Sequence, residues 1–105
     1  MHSETRIYLM ELRQAMERLD LWQAVPPSPE AFSSQAPFSL DTLSPEEWLQ
    51  WIFIPRMSAL IESQADLPRE IAISPYIEEA LNLKEYDDVE LLLTPLRKIE
   101  ALLQR

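Results

Sequence analysis

Few side chains in this sequence could support chemistry, and most of them are carboxylates. There is no cysteine, and His2 is the single histidine, which argues against thiol chemistry, zinc-finger ligation and the usual serine triads. Three pairs of adjacent acids occur: Glu46 with Glu47, Glu78 with Glu79, and Asp87 with Asp88. Neighbouring side chains on a helix point about 100° apart, which disfavours a shared-proton dyad or a chelating site. We therefore expect no catalytic residues, no metal site and no cofactor, and predict that the protein is not an enzyme.

Arg56 is the most informative charged residue. Helical periodicity places it between Leu49 and Ile52, on a face that should be buried. A buried guanidinium needs a carboxylate or several carbonyl groups, because an unpaired buried charge costs several kcal/mol. The expected partner is Asp41, in the segment that precedes the helix. The pair could be a structural ion pair, or it could contact an anionic ligand or a partner carboxylate.

Aromatic residues are frequent in the same region. Those that could form a surface are Phe38, Trp48, Trp51 and Tyr76. Aromatic residues at helical spacing usually belong to the core. Trp48 and Trp51, however, lie about 60° apart on a helical wheel, so one of them could line a surface groove. Because Trp and Tyr are enriched at interface hot spots, we regard these residues as a candidate interaction surface for a partner or a second copy.

Composition excludes several classes of protein. The 105 residues contain nine prolines and no glycine, whereas phosphate-binding and dinucleotide-binding loops need glycine. The net charge is −9, opposite to the basic surface that binds phosphate backbones. With 47% hydrophobic residues, the length suits one domain, residues 1–105. We therefore predict a single domain that does not bind nucleic acid directly.

The sequence also bears on the compartment. The longest apolar run is residues 51–54, far short of the roughly 20 residues of a membrane span. Charged residues at Glu4, Arg6 and Glu11 interrupt the region where a signal peptide would be apolar. We therefore predict a cytoplasmic bacterial protein that is not inserted in a membrane.

Two helices are predicted in the first two thirds of the chain. The first covers residues 3–22, with Ser3 as its N-cap. A proline-rich segment, residues 23–43, follows and is called the strap; its apolar residues suggest that it packs across the helices. The second helix begins at Ser44, Pro45 and Glu47, which form a capping-box pattern. It runs to about residue 64 and is apolar almost all round, so we expect it at the centre of the fold.

Two further helices complete the predicted fold. Ser74 and Pro75 start a short third helix, and Asn82 is the expected left-handed cap at its end. The fourth helix begins near residue 87, and Pro95 either kinks it or starts a new segment after Thr94. Its apolar stripe is Val89, Leu92, Leu96, Ile99 and Leu103. The fold class is therefore all-α: a four-helix bundle with a long proline-rich strap between helices 1 and 2.

Two runs of residues resemble the YqcC-like family, a small bacterial domain of unknown function formerly called DUF446. The first consists of Pro37, Phe38, Asp41, Thr42, Glu47, Trp48, Leu49, Gln50, Trp51, Ile54, Pro55, Arg56 and Met57. The second consists of Leu67, Pro68, Pro75, Tyr76, Glu78, Ala80 and Leu81. The resemblance implies a compact helical bundle in a cytoplasmic bacterial protein and supplies no catalytic residues. It also implies an association with tRNA modification, because members are often encoded beside a tRNA pseudouridine synthase of the C type.

Two functional hypotheses follow. The first is a non-enzymatic interaction or accessory module that uses an acidic and aromatic surface to bind a protein, with a tRNA pseudouridine synthase as the implied partner. The alternative is a small-molecule binding module in which the strap and the second helix enclose an apolar pocket anchored by Arg56. Assembly into a homo-oligomer is compatible with both hypotheses.

Overall fold

The structure, a computed structural model, describes residues 2–34, 42–69, 71–83 and 89–104. Its helices are α1 (His2–Arg18), a short 3₁₀ helix (Pro29–Ser33), α2 (Pro45–Trp48), a π-helical turn (Leu49–Phe53), α3 (Ile54–Glu62), α4 (Ser74–Leu83) and α5 (Glu90–Leu103). The α2 segment, the π-helical turn and α3 follow one another without a break, and we call residues 45–62 the interrupted helix. The described chain contains four main helices and no strand, so the predicted all-α four-helix bundle is confirmed.

The start of the interrupted helix is the predicted capping box. The Ser44 N–H donates to Glu47 Oε1 at 2.9 Å, and the Glu47 N–H donates to Ser44 Oγ at 3.3 Å. Pro45 occupies the first helical position, where its missing N–H costs nothing because that donor has no partner within a helix. These bonds satisfy donors that would otherwise be exposed at the helix end, and they fix where the strap ends.

The π-helical turn lies directly before Pro55. A proline nitrogen has no hydrogen to donate to the carbonyl four residues earlier, which here is that of Trp51. Upstream of this gap the bonding widens from i→i+4 to i→i+5, and the Ile54 N–H donates to the Leu49 carbonyl. The turn therefore inserts up to about one extra residue into the helix. Each later residue lies close to the direction that the preceding residue would have in an uninterrupted α-helix.

Helices α1 and α3 both end in a Schellman motif built without glycine. Asp20 and Gln64 have φ of 61° and 56°, the left-handed region that glycine usually occupies. After α1, the Leu21 N–H donates to the Met16 carbonyl at 2.8 Å; after α3, the Ala65 N–H donates to the Leu60 carbonyl at 2.9 Å. Both are the long bonds of this motif, which satisfies the last carbonyl groups of a helix.

These ends correct three predictions. Helix α1 stops at Arg18, several residues before residue 22, because the left-handed Asp20 turns the chain first. Ser3 lies inside α1 and is not its N-cap, since the helix already includes His2. Asn82 also lies inside a helix, because α4 extends to Leu83, so it is not the predicted left-handed cap.

The core is formed chiefly by α5 and not by the interrupted helix. All five residues of the predicted stripe from Val89 to Leu103 are buried, and α5 packs most extensively against α1. The interrupted helix buries one face, whereas Pro55, Arg56 and Ala59 are exposed. The expectation that it occupies the centre is therefore wrong. One helix runs through Pro95, so Thr94 does not start a new segment.

A buried carboxylate connects α5 with the start of α4. Glu100 is 7% exposed, and its Oε2 accepts from the Ile73 N–H at 2.5 Å and from the Ser74 N–H at 2.9 Å. Its Oε1 accepts from the Ser74 hydroxyl at 2.5 Å. N–H groups in the first turn of a helix lack partners within the helix, so Glu100 acts as a cap supplied from a distant part of the chain.

The described parts of the strap are only partly packed. Leu43 is buried, whereas Val25 and Phe32 are exposed, so the expected packing of the strap's apolar residues holds for Leu43 and not for Phe32. The Thr42 hydroxyl donates to the Ala31 carbonyl at 2.7 Å, which joins the 3₁₀ helix to the last part of the strap. Phe38 and Leu40 lie outside the described residues.

Candidate interaction site

Arg56 is exposed, so the prediction that it is buried is wrong. The physical reason is the π-helical turn, which shifts later residues around the helix axis and leaves Met57 and Ile61 on the buried face. Within the described part of the chain, Arg56 forms no ion pair. Asp41 lies outside the described residues, and its pairing with Arg56 stays a prediction.

The contact that fixes the strap is made by Gln50, which is 4% exposed. Its side-chain NH₂ donates to the Gln23 carbonyl at 2.8 Å, and its Oε1 accepts from the Gln23 N–H at 2.8 Å. The Trp51 Nε1–H donates to the Gln23 side-chain oxygen at 3.2 Å. This contact was not predicted from the sequence, although Gln50 is a polar residue on the same helical face as the apolar Phe53 and Met57, which indicates a buried polar group that needs a partner.

The described members of the predicted aromatic surface are half-buried, and each has a different neighbour. Trp48 stacks on Phe53 with ring centroids 5.7 Å apart, and Trp51 binds Gln23. Burial raises the pKa of Tyr76 above its usual 10.0, and the nearby carboxylate of Glu46 raises it further. Phe38 lies outside the described residues. Binding through this surface stays a prediction.

A groove runs between α1 and α3, and we call it the α1/α3 groove. It has a volume of about 320 Å³ and is lined by Arg6, Leu9, Met10, Arg13, Ile54 and Ile61, together with Ser58 and Glu62. An adjoining hollow continues it towards His2 and Ile7. Ile7 and Met10 are 55% and 57% exposed. The sequence indicates this exposed pair, because Ile7 and Met10 are apolar and three residues apart yet fall outside the buried stripe of α1.

Two arginines give the α1/α3 groove its charge. Arg13 Nε donates to Glu17 Oε1 at 3.2 Å, and its guanidinium lies 4.6 Å from the centroid of the Trp22 ring. Arg6 is exposed and forms no ion pair with another described residue. Glu62 is the one carboxylate among the lining residues. Two guanidinium groups and one carboxylate therefore line the groove, in a chain whose net charge is −9.

Another groove lies between α1 and α5 and is lined by Glu11, Glu90, Leu91, Thr94 and Pro95. Glu11 forms an ion pair with Lys98 at 3.7 Å. Nearby, Arg97 donates to Glu90 at 3.0 Å and to Glu78 at 3.1 Å. These pairs are exposed, and such surface ion pairs typically contribute about 0–1 kcal/mol. Both carboxylates that line this groove are therefore paired with a basic side chain.

The described residues carry neither a cluster of metal ligands nor a helix that could cross a membrane. They contain no group of three or more His, Cys, Asp or Glu side chains that could hold a metal ion. None of their helices is long and apolar enough to cross a membrane. Arg56 is absent from the linings of the grooves described above, so the pocket that it was expected to anchor is not among them.

The bundle and the motifs of the interrupted helix define a small all-α domain of the YqcC-like type. Residues 4–102 match the family DUF446, described as "tRNA pseudouridine synthase C", and the chain belongs to this family. The resemblance inferred from the sequence is thereby confirmed.

Several relatives are similar over most of the chain. An uncharacterised protein of Haemophilus influenzae is 56% identical over 102 residues, which cover 97% of this chain and 94% of that protein. The uncharacterised protein YqcC of Escherichia coli is 38% identical over 101 residues, covering 96% and 92%. The solution NMR structure of E. coli YqcC superimposes with a TM-score of 0.83 at 37% identity, covering 97% of this chain and 86% of that one.

A further relative has a different length. A protein of Pectobacterium carotovorum named tRNA pseudouridine synthase C is 52% identical over 67 residues. The matching part covers 64% of this chain but 18% of that protein. The rest of the Pectobacterium protein therefore lies outside the similarity.

Proposed function

We propose that this protein is a non-enzymatic interaction module that binds a tRNA pseudouridine synthase. One observation carries the proposal: a segment similar to this chain occupies 18% of a protein named tRNA pseudouridine synthase C, whereas relatives from two other bacteria match over 94% and 92% of their length. Joining two interacting units in one polypeptide replaces association in solution with contact at high effective concentration. The same pair would have to associate non-covalently where the units are separate chains.

Surface chemistry supports a protein as the partner. Large apolar side chains are exposed at Ile7, Met10, Val25, Phe32 and Leu91, and groups of such residues mark interaction sites when they are contiguous. The net charge of −9 would repel the phosphates of tRNA. An effect on tRNA modification would therefore act through the synthase, and a cytoplasmic location follows from the same proposal.

Sedimentation velocity tests the proposal. We would mix this protein with the full-length C-type tRNA pseudouridine synthase of the same organism at micromolar concentrations. We expect a faster-sedimenting complex that contains both chains. An unrelated acidic protein of similar size and charge is the control, because it separates specific binding from electrostatic effects. Independent sedimentation of both chains at about 10 μM each, where a Kd of 1 μM would place roughly 70% of them in the complex, would overturn the proposal.

Pseudouridine formation provides a second measurement. If the module binds the synthase, we expect it to change the KM for tRNA or the turnover number, with saturation at one module per synthase. Saturation distinguishes a complex from an effect of added protein on ionic strength. The small-molecule hypothesis loses its polar anchor, because Arg56 is exposed and lines none of the grooves described.

A further inference from the structure

The α1/α3 groove combines apolar side chains with two guanidinium groups. Met10 in the groove and Ile7 in the adjoining hollow are more than half exposed, and Leu9 and Ile61 form buried parts of the wall. An apolar surface bordered by charged residues is typical of a binding site for another protein. A groove between two helices suits a third helix, because the side chains of a helix form ridges that fit between them.

Charge identifies the chemistry of the occupant. The chain carries 18 acidic residues and nine basic ones, yet two guanidinium groups and one carboxylate line this groove. Arg6 forms no ion pair with another described residue. Arg13 is held in place by Glu17 and by the face of Trp22, which reduces the side-chain entropy that binding would cost. A partner with carboxylates at matching positions would complement both arginines.

Helical geometry sets the spacing of those carboxylates. Arg6 and Arg13 are seven residues apart on one face of α1, which corresponds to about 10.5 Å along the helix axis. A helix that lies along the groove reproduces this distance with acidic residues at positions i and i+7. Apolar residues at i+3 and i+4 then face Leu9, Met10 and Ile54.

We propose that the α1/α3 groove binds an amphipathic helix of a partner protein, with two acidic residues seven positions apart and apolar residues between them. The inference rests on the interaction role proposed above and specifies the surface and the chemistry of recognition. The groove differs from the aromatic surface predicted from the sequence, so the two surfaces make different predictions for mutants.

Synthetic peptides test the groove without the synthase. The probe is a helical peptide of about 15 residues, roughly four turns, with two glutamates at i and i+7 and leucines at i+3 and i+4. A matched peptide carries lysines in place of the glutamates. We expect the acidic peptide to bind at least about tenfold more tightly at low salt, with NMR shift changes centred on α1 and α3. Equal affinity for the two peptides would overturn the proposal.

Variants test the residues that carry the inference. Arg6→Gln removes one guanidinium, and Met10→Asp places a charge in the apolar part; both residues are exposed, so the fold should survive. Arg18→Gln is the matched control, because Arg18 is an exposed arginine of α1 that does not line the α1/α3 groove. We expect at least about fivefold weaker binding of the acidic peptide for the first two variants, about 1 kcal/mol, and no change for the control. Equal effects of Arg6→Gln and Arg18→Gln would refute the role of the groove.

The same variants separate this inference from the proposed function. If the synthase co-sediments with the wild-type protein and equally with Arg6→Gln and Met10→Asp, the groove is not the binding surface, whereas the proposed function stands. If the acidic peptide binds in the groove but the synthase does not bind, the groove stands and the synthase is the wrong partner. If the protein alone forms a dimer that Met10→Asp abolishes, the occupant is a second copy and the inference fails.

Discussion

The cap that Glu100 supplies to α4 predicts a large and specific effect on stability. Replacing Glu100 with alanine removes the acceptors of the Ile73 N–H, the Ser74 N–H and the Ser74 hydroxyl. These donors are buried, because the residues that carry them, Ile73 and Ser74, are only 6% and 7% exposed. A buried donor without a partner costs about 1–3 kcal/mol. We expect Glu100→Ala to lower the free energy of unfolding by about 3–5 kcal/mol, which allows for partial rescue by water.

Glu100→Gln is the more informative substitution, because it changes the charge and not the shape. One Glu100 oxygen accepts both backbone N–H groups, and the other accepts the hydroxyl. An amide can keep its carbonyl oxygen towards the backbone, while the Ser74 hydroxyl turns to accept from the NH₂ group. Charge-assisted bonds are roughly twice as strong as neutral ones. We therefore expect Glu100→Gln to cost about 1–2 kcal/mol, less than the alanine variant.

Urea unfolding followed by tryptophan fluorescence measures both variants. A change in the midpoint at constant slope reports a change in stability. Glu79→Ala is the matched control, because Glu79 is an exposed acid of α4; such substitutions usually change stability by less than about 0.5 kcal/mol. The reasoning is refuted if Glu100→Ala and Glu100→Gln both unfold at the same urea concentration as Glu79→Ala.

Three further predictions concern other contacts. Gln64→Gly should raise the free energy of unfolding by about 0.5–1 kcal/mol, because glycine adopts the left-handed conformation at φ 56° without strain. Gln50→Ala should lower it by about 2–3 kcal/mol, since the main-chain groups of Gln23 lose both partners; urea unfolding measures both. The pKa of Tyr76 is raised on folding, so stability should be constant below about pH 10 and fall above it. In absorbance titrations Tyr76→Phe should remove a tyrosine that ionises above pH 10, and Glu46→Gln should lower the pKa of Tyr76.

Matched controls make these outcomes decisive. Gln14→Gly is the control for Gln64→Gly, because it also replaces an exposed glutamine with glycine, but inside α1. There glycine should lower the free energy of unfolding by about 1 kcal/mol. If both glycine variants destabilise equally, the left-handed conformation at Gln64 does not carry the predicted effect. If stability above pH 10 falls equally in the wild type and in Tyr76→Phe, another group causes the dependence.

Local signals account for what the sequence predicted well. The start of the interrupted helix was predictable because Ser44, Pro45 and Glu47 act within one turn, and the capping bonds join Ser44 and Glu47 directly. The apolar stripe of α5 was predictable for a similar reason, because its periodicity reports burial directly. In both cases the structure is decided by residues that are close in sequence, so the local sequence pattern was enough to predict it.

Other features depend on distant residues or on small energy differences. Glu100 caps a helix that begins 26 residues earlier along the chain, and no local pattern indicates that contact. The exposure of Arg56 depends on a change of helix type, which the regular wheel does not contain. The left-handed Asp20 was missed because its cost of about 1 kcal/mol is offset by two hydrogen bonds that only the folded end of α1 provides.

The contacts that hold the two ends of the strap, at Gln23 and Ser44, determine how its length affects stability. Gln23 is held by Gln50, and Ser44 is held by its capping box, so both ends of the intervening segment attach to one helix within about 9 Å along its axis. The two anchored ends of the strap, Gln23 and Ser44, are therefore close together on that helix. The entropy of closing such a loop grows only with the logarithm of its length, by about 0.6 kcal/mol per doubling. Insertions at the exposed residues 24–26, just after the first anchor, should therefore be tolerated, which makes this position suitable for a reporter peptide.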